Sequence, residues 1–274
     1  MEKQKLLCVP PAACSAMMYL QWQTLFPESV EVVPIELPGR GTKFREKPCN
    51  SIDEITDCLL EEVMKKAEDV PYSVFGLCSG SVVAFDLVQK LLRNGFRAPA
   101  NFIGASSREP AVQIHAPSAL DVSDEMLVSI FMNIFKFKIN DENRADYMCK
   151  FVAKLHPESG EVLDGMSDSE FLAAIKEDNE KGRKAMVSLR RSIDMLRTDS
   201  IMLHHYQMPE TVLPMKMPVT MIHGKYDTLI KRSEVAEWKK YCTSSFAIRM
   251  IAGGHLATFD NCAETVNIIK ETIL

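Results

Sequence analysis

The chain has 274 residues, 46% of them apolar and 25% charged, with a net charge of −5. That length is ample for a buried core, and a mildly acidic chain with no run of five basic residues offers no electrostatic footprint for nucleic acid or an anionic membrane. No stretch approaches the roughly 18 apolar residues of a membrane span, and the opening MEKQKLLCVPPAAC lacks the layout of a signal peptide. None of the eight cysteines stands in a C-x-x-C pair, which argues against a zinc knuckle or a dithiol redox motif. The expectation is a protein of a reducing cytoplasm with mostly free thiols.

The first third alternates strand and helix, as an α/β sheet requires. Leu6 to Pro10 predicts a short buried strand, Ala16 to Phe26 a helix, and the β-branched run Val30 to Leu37 a second strand, broken by Leu-Pro-Gly-Arg-Gly at Leu37 to Gly41. Ser51 and Glu54 form a capping box, so a helix follows with Ile55, Leu59, Val63 and Met64 on its apolar face. Tyr72 to Phe75 reads as a strand, Gly76 to Gly80 as a tight turn, and Val82 to Arg93 as a helix ended by Asn94-Gly95. Asn101 to Ala105 is a further strand.

Beyond about Ala116 strand-like runs vanish until Met217 to Gly224. Ten of the 16 methionines lie from Met126 to Met217, and the segment carries a second capping box, Ser167 and Glu170; flexible methionine suits an adaptable apolar surface or an ordinary helical core. A helix over Val235 to Tyr241, a strand over Phe246 to Ile251 and a helix over Ala263 to Leu274 close the chain. The predicted organisation is a core of residues 1–115 and 214–274, with a helical insertion over 116–213.

Chemistry concentrates after the strands. Gly76-Leu77-Cys78-Ser79-Gly80 is a small-x-nucleophile-x-small pattern between strand and helix, the context of a nucleophile elbow. It would set Cys78 on a helix N-terminus, where a thiolate is favoured. A buried structural thiol is the bland alternative, and the neighbouring Ser79 sits one place off register. Asp227 follows one strand and His255, after Gly253-Gly254, follows the next. Nucleophile, acid and base thus occur in the order of an α/β-hydrolase. An oxyanion hole needs two backbone N–H donors. Ser79 supplies one; in the loop after the first strand Pro10 and Pro11 have no N–H, so Ala12 is the first residue able to supply the other.

These residues resemble the type II thioesterases of nonribosomal peptide and polyketide assembly lines, α/β-hydrolases that clear acyl groups from the phosphopantetheine arm of carrier proteins. The resemblance covers almost the whole chain: Leu6 to Ala16, the specific Leu37 to Gly41 motif, the elbow, the lid-like segments Ser123 to Glu125 and Arg190 to Tyr206, and the loops Gly224 to Asp227 and Gly253 to His255. It implies an α/β-hydrolase fold, a mostly parallel sheet flanked by helices with a lid. It further implies Cys78 as nucleophile, Asp227 as orienting acid, His255 as base, and Ala12 and Ser79 as oxyanion donors. Acyl or peptidyl carrier protein domains are the implied partners, no metal or bound cofactor is required, and a monomer is expected.

This sequence departs from the family pattern in and above the site. Cys78 replaces a serine and Leu77 a histidine; Pro11, Ala13 and Cys14 replace His, Gly and Gly; and the insertion is longer around Phe135 to Gly165. Leu77 and Pro11 are therefore expected to contact substrate. Leu77 also argues against a lone engineered serine-to-cysteine exchange. A thiol attacking a thioester makes another thioester, which can pass its acyl group to water or to a second thiol or amine. Hydrolysis from a carrier protein is the leading expectation, acyl transfer or shuttling through Cys78 the alternative, and a binding-only protein of the same fold the third reading.

Overall fold

The computed structural model describes residues 3–112 and 194–274. Their strands are β1 (Gln4–Val9), β2 (Val30–Pro34), β3 (Tyr72–Leu77), β4 (Phe102–Ala105), β5 (Val219–Gly224) and β6 (Phe246–Ile251). The helices are α1 (Ile52–Ala67), α2 (Ser79–Arg93), α3 (residues 194–204), α4 (Arg232–Ala236), α5 (Ala257–Asp260) and α6 (Cys262–Ile273). All strand pairs are parallel, in the order β2-β1-β3-β4-β5-β6.

Alternation along the strands builds two apolar layers. Leu7, Val9, Val74, Phe102 and Met221 pack against α1, α2 and Trp238. Leu6, Cys8, Phe75, Ile103 and Ile222 face the opposite way, against Tyr19, Trp22 and α6. Helix α1 begins as expected: Ser51 Oγ accepts the Glu54 N–H at 3.1 Å. The return contact lands one residue earlier than in a full capping box, with Glu54 accepting the Asn50 N–H at 2.8 Å.

Two expected helices wind more tightly. Ala16–Leu25 is a 3-10 helix, and the expected helix over Val235 to Tyr241 divides into α4 and the 3-10 turn Glu237–Tyr241. In both, core aromatics recur every third residue, a spacing that aligns them on one face of a 3-10 helix. Tyr19 and Trp22 pack edge-on with centroids 4.9 Å apart, as do Trp238 and Tyr241 at 6.3 Å. The second strand runs to Pro34 at the edge of the sheet; its nitrogen faces away from β1, and the next N–H, that of Ile35, still donates to Cys8 C=O at 2.9 Å.

The expected insertion over 116–213 falls mainly outside the described residues, as do Ser167–Glu170 and Phe135 to Gly165. Of it, 194–204 are helical, and the stretch from Tyr206 to Leu213 is fastened to α2. Buried Asp86 accepts the Thr56 hydroxyl at 2.6 Å and the Tyr206 hydroxyl at 2.9 Å. Gln89 exchanges two bonds with the backbone of Leu213.

Parallel strands gather their C-terminal loops along one edge. The chain turns to one side of β1 to make β2 and to the other to make β3, so the strand order switches between β1 and β3. Ligands of open α/β sheets settle in the crevice at such a point.

Candidate active site

Cys78 stands between β3 and α2 with φ 53° and ψ −121°. It is one of three non-glycine residues with positive φ among those described; Ala13 and Ser106 are the others, and each follows a strand at the same edge. Strained backbone of this kind persists only where its surroundings fix it. Here the Cys78 N–H donates to Ala105 C=O at 2.8 Å, and Ser81 Oγ donates to Gly76 C=O at 2.7 Å.

The flanking glycines answer to close approach. A Cβ at Gly76 would lie 2.4 Å from the Gly80 carbonyl oxygen, and one at Gly80 would lie 2.5 Å from that of Pro10. Glycine at 80 therefore lets the exit of β1 lie against the first turn of α2. At Gly224 a Cβ would lie 2.1 Å from the Gly254 carbonyl oxygen. That approach, with the Tyr226 N–H donating to Gly253 C=O at 2.9 Å, joins the loop after β5 to the loop after β6.

Those loops bring the three separated candidates together. His255 Nε2 lies 3.4 Å from Cys78 Sγ, and His255 Nδ1 lies 2.9 Å from Asp227 Oδ2. The other carboxylate oxygen of Asp227 accepts the N–H groups of Leu229 at 2.8 Å and Ile230 at 3.0 Å. Its aim is thus set by its own loop, with Oδ2 left for His255. His223, also buried, has Nδ1 3.7 Å from the same Oδ2.

Burial works against charge on Cys78. The adjacent His255, its hydrogen bond and the Ser79 N–H overcome that effect and hold the thiol below its ordinary range. Burial likewise presses His255 down, but the Cys78 charge and Asp227 raise it to about 10. Asp227, despite burial, is held low by His255 and its backbone donors. Both shifts favour the thiolate–imidazolium form of the pair over the neutral one. Cys14, close by, is a different kind of thiol: burial pushes it far up.

In the loop after β1, the Cys14 N–H donates to Pro11 C=O at 3.2 Å. The Pro11 carbonyl points into the turn, so the Ala12 N–H on the same trans peptide points out of it. Ser79 directs its N–H at the Cys78 sulfur. Leu77 is buried at 2% exposure in the apolar layer that also holds Tyr19 and Phe75, and Pro11 is buried too.

Sequence reading missed a buried ion pair beside this loop. Arg40, from the Leu37 to Gly41 motif, grips Asp199 of α3 through two 2.6 Å bonds. Asp199 Oδ2 also accepts the Ala13 N–H at 2.8 Å. The motif itself was visible; a buried arginine demands a counter-ion, yet no spacing rule points to one 159 residues away.

Residues 4–273 match the thioesterase domain family. Linear gramicidin dehydrogenase LgrE of Brevibacillus parabrevis is 24% identical, over 93% of this chain and 82% of that protein. Gramicidin S biosynthesis protein GrsT of Aneurinibacillus migulanus is 20% identical, over 97% and 88%. The structure of ClbQ from the colibactin NRPS/PKS pathway shares the fold with a TM-score of 0.75 at 19% identity, covering 99% of this chain and 97% of that one. A parallel sheet with its chemistry at one edge, the α/β-hydrolase fold of that neighbour, and a family match spanning nearly every residue converge: this chain is an enzyme and belongs to the thioesterase family.

Proposed function

We propose that the chain hydrolyses acyl or aminoacyl thioesters from the phosphopantetheine arm of carrier protein domains in nonribosomal peptide or polyketide assembly, with Cys78 as nucleophile. The observation that carries this is the unbroken contact from Cys78 Sγ through His255 to Asp227 Oδ2, 3.4 Å and 2.9 Å, at a strained elbow. Support for the substrate class comes from relatives named for gramicidin S biosynthesis and for an NRPS/PKS pathway.

The Cys78 thiolate attacks the thioester carbonyl carbon, forming a carbon–sulfur bond and an oxyanion that the N–H groups of Ala12 and Ser79 stabilise. Collapse breaks the bond to the pantetheine sulfur, which takes the proton of His255 and leaves as a thiol. Acylation also removes the thiolate charge that holds His255 up, so its proton affinity falls and it becomes a free base. It then takes a proton from water; the hydroxide adds to the acyl-enzyme, and collapse restores the Cys78 thiolate and releases a carboxylic acid. Asp227 keeps the ring in the orientation both steps need.

The same proposal divides the chain into a catalytic core, 1–115 and 214–274, and a lid, 116–213. It pictures a monomer acting on carrier-bound acyl groups without a bound cofactor. The seven described cysteines are free thiols, which fits a reducing cytoplasm. Among the described residues no helix is long and apolar enough to cross a membrane.

The test is to offer an acyl carrier protein and follow intact mass and free acid together. An acyl adduct on Cys78 that decays to acid is the expected result. Cys78→Ala should remove the adduct and lower turnover at least about 10³-fold. Turnover surviving that change would move the nucleophile to Ser79. Decay only in the presence of a second carrier, without acid, would establish the transferase alternative instead.

A further inference from the structure

The Leu37 to Gly41 motif ends in a clamp on the loop that follows β1. Arg40 and Asp199 are each 6% exposed and paired through both guanidinium nitrogens at 2.6 Å. Asp199 Oδ2 carries a second load, the Ala13 N–H at 2.8 Å. Glu36, 5% exposed, grips the far end of the same loop: it accepts the Ser15 hydroxyl at 2.5 Å and the Ala16 N–H at 3.1 Å. Gly41 leaves room for that second grip, since a Cβ there would lie 1.9 Å from Glu36 Oε2.

Ala13 needs holding. It is the third residue of the Pro11–Cys14 turn, with φ 58°, a position where a type II turn calls for glycine. An alanine there prefers to leave the left-handed region. The Ala12 N–H direction follows from the two peptides that flank Ala12. The Cys14-to-Pro11 bond fixes one, and Asp199 fixes the other.

We infer that Asp199, itself aimed by Arg40, is a positioning residue for the oxyanion hole, acting through the Ala13 N–H to point the Ala12 N–H at the substrate oxygen. This rests on the thioesterase proposal above. A buried pair is a costly way to tie two loops together, but it supplies a strong, directional acceptor at a place where backbone has to be kept out of its preferred conformation.

Two neutral pairs isolate the acceptor without stranding a buried charge. Arg40→Met with Asp199→Asn keeps a side-chain oxygen for Ala13; Arg40→Met with Asp199→Leu does not. Three readouts apply to each: kcat and KM for acyl-carrier hydrolysis, the rate of Cys78 alkylation by iodoacetamide, and amide exchange over residues 12–14. Alkylation at a saturated carbon makes no oxyanion, so it reports the thiolate alone. The leucine pair should lose about 10²-fold in kcat with little change in KM, keep its alkylation rate, and lose exchange protection at Ala13. The asparagine pair should stay within about fivefold of the parent. Adding Ala13→Gly to the leucine pair should recover at least about tenfold, because glycine adopts that turn unaided. Equal kcat in the two pairs, alkylation falling in step with turnover, or equal exchange protection would each overturn the clamp. Turnover that persists in Cys78→Ala would instead overturn the nucleophile, and the exchange comparison still judges whether Asp199 holds Ala13.

Discussion

The loops after β3 and β1 both carry a non-glycine residue in the left-handed region, Cys78 at φ 53° and Ala13 at φ 58°, and are held there differently. Around Cys78 the restraints come from the turn itself and from the strands beside it. Two glycines permit backbone contact, Ser81 ties the turn to Gly76, and β4 accepts the Cys78 N–H. Around Ala13 a decisive restraint comes from Asp199, 186 residues along the chain. The turn at Cys78 is thus held by its own strand–turn–helix unit and the neighbouring strands, whereas the turn at Ala13 also takes an acceptor from α3, far along the chain.

The largest break in that comparison is His255→Ala. Turnover should fall about 10³-fold, since the acid and the base are lost together. The sign of the accompanying pH effect comes from the causes at Cys78. Burial raises its proton affinity, and His255 is the largest of the influences that lower it. With the imidazolium gone, burial remains, so the apparent pKa of alkylation should move up past the ordinary thiol range. In the parent, alkylation should stay fast at pH 7 and drop only as pH falls through the depressed Cys78 pKa. In the variant it should be at least about 30-fold slower at pH 7, where even an ordinary thiol is only a few per cent ionised. A profile unchanged by the substitution would mean that the helix N-terminus alone sets the thiolate.

Gly80→Ala comes next and strikes where the two loops touch. The new Cβ would sit 2.5 Å from the Pro10 carbonyl oxygen and 2.6 Å from that of Val9, both backbone atoms at the end of β1. Something must shift, and overpacking of this sort costs about 2 kcal/mol. A urea midpoint lowered by that energy divided by m, at constant m, together with lost hydrolysis, is expected. An unchanged midpoint would show that the exit of β1 is free to move away from the elbow.

The reach of the restraints along the chain also explains what the sequence made legible. Strand and helix alternation and the tight turn at Gly76 to Gly80 are patterns within a few residues, and Cys78, Asp227 and His255, far apart in the chain, each stand in a loop just after a strand; the structure brings the three together. Ala12 could be singled out because Pro10 and Pro11 have no N–H to offer. The two 3-10 segments were read as α-helices because apolar residues three apart serve either period; Tyr19 with Trp22 and Trp238 with Tyr241 settle it only once their rings meet the sheet. Arg40 was noticed as part of a motif and given no task. Asp199 is one polar residue within the lid-like segment Arg190 to Tyr206, and only the folded chain sets it beside Ala13.

The smallest expected effect sharpens the comparison most. Ala13→Gly removes a left-handed alanine worth about 1–2 kcal/mol of strain. It gives back about 0.4–1 kcal/mol through the greater freedom of the unfolded chain, and the methyl, fully buried at 0% exposure, forfeits up to about 0.8 kcal/mol of burial. These nearly cancel, so the unfolding free energy from urea titration should stay within about 0.5 kcal/mol of the parent, while the neighbouring Gly80→Ala is clearly destabilising. With Asp199 intact, kcat should also change less than about threefold, because the clamp still aims the Ala13 N–H. A loss of stability above about 1.5 kcal/mol would mean that the methyl packs more than its own area suggests. The left-handed turn would then be held by side-chain packing as well as by the Asp199 acceptor, and the contrast with the elbow would narrow to one of distance along the chain.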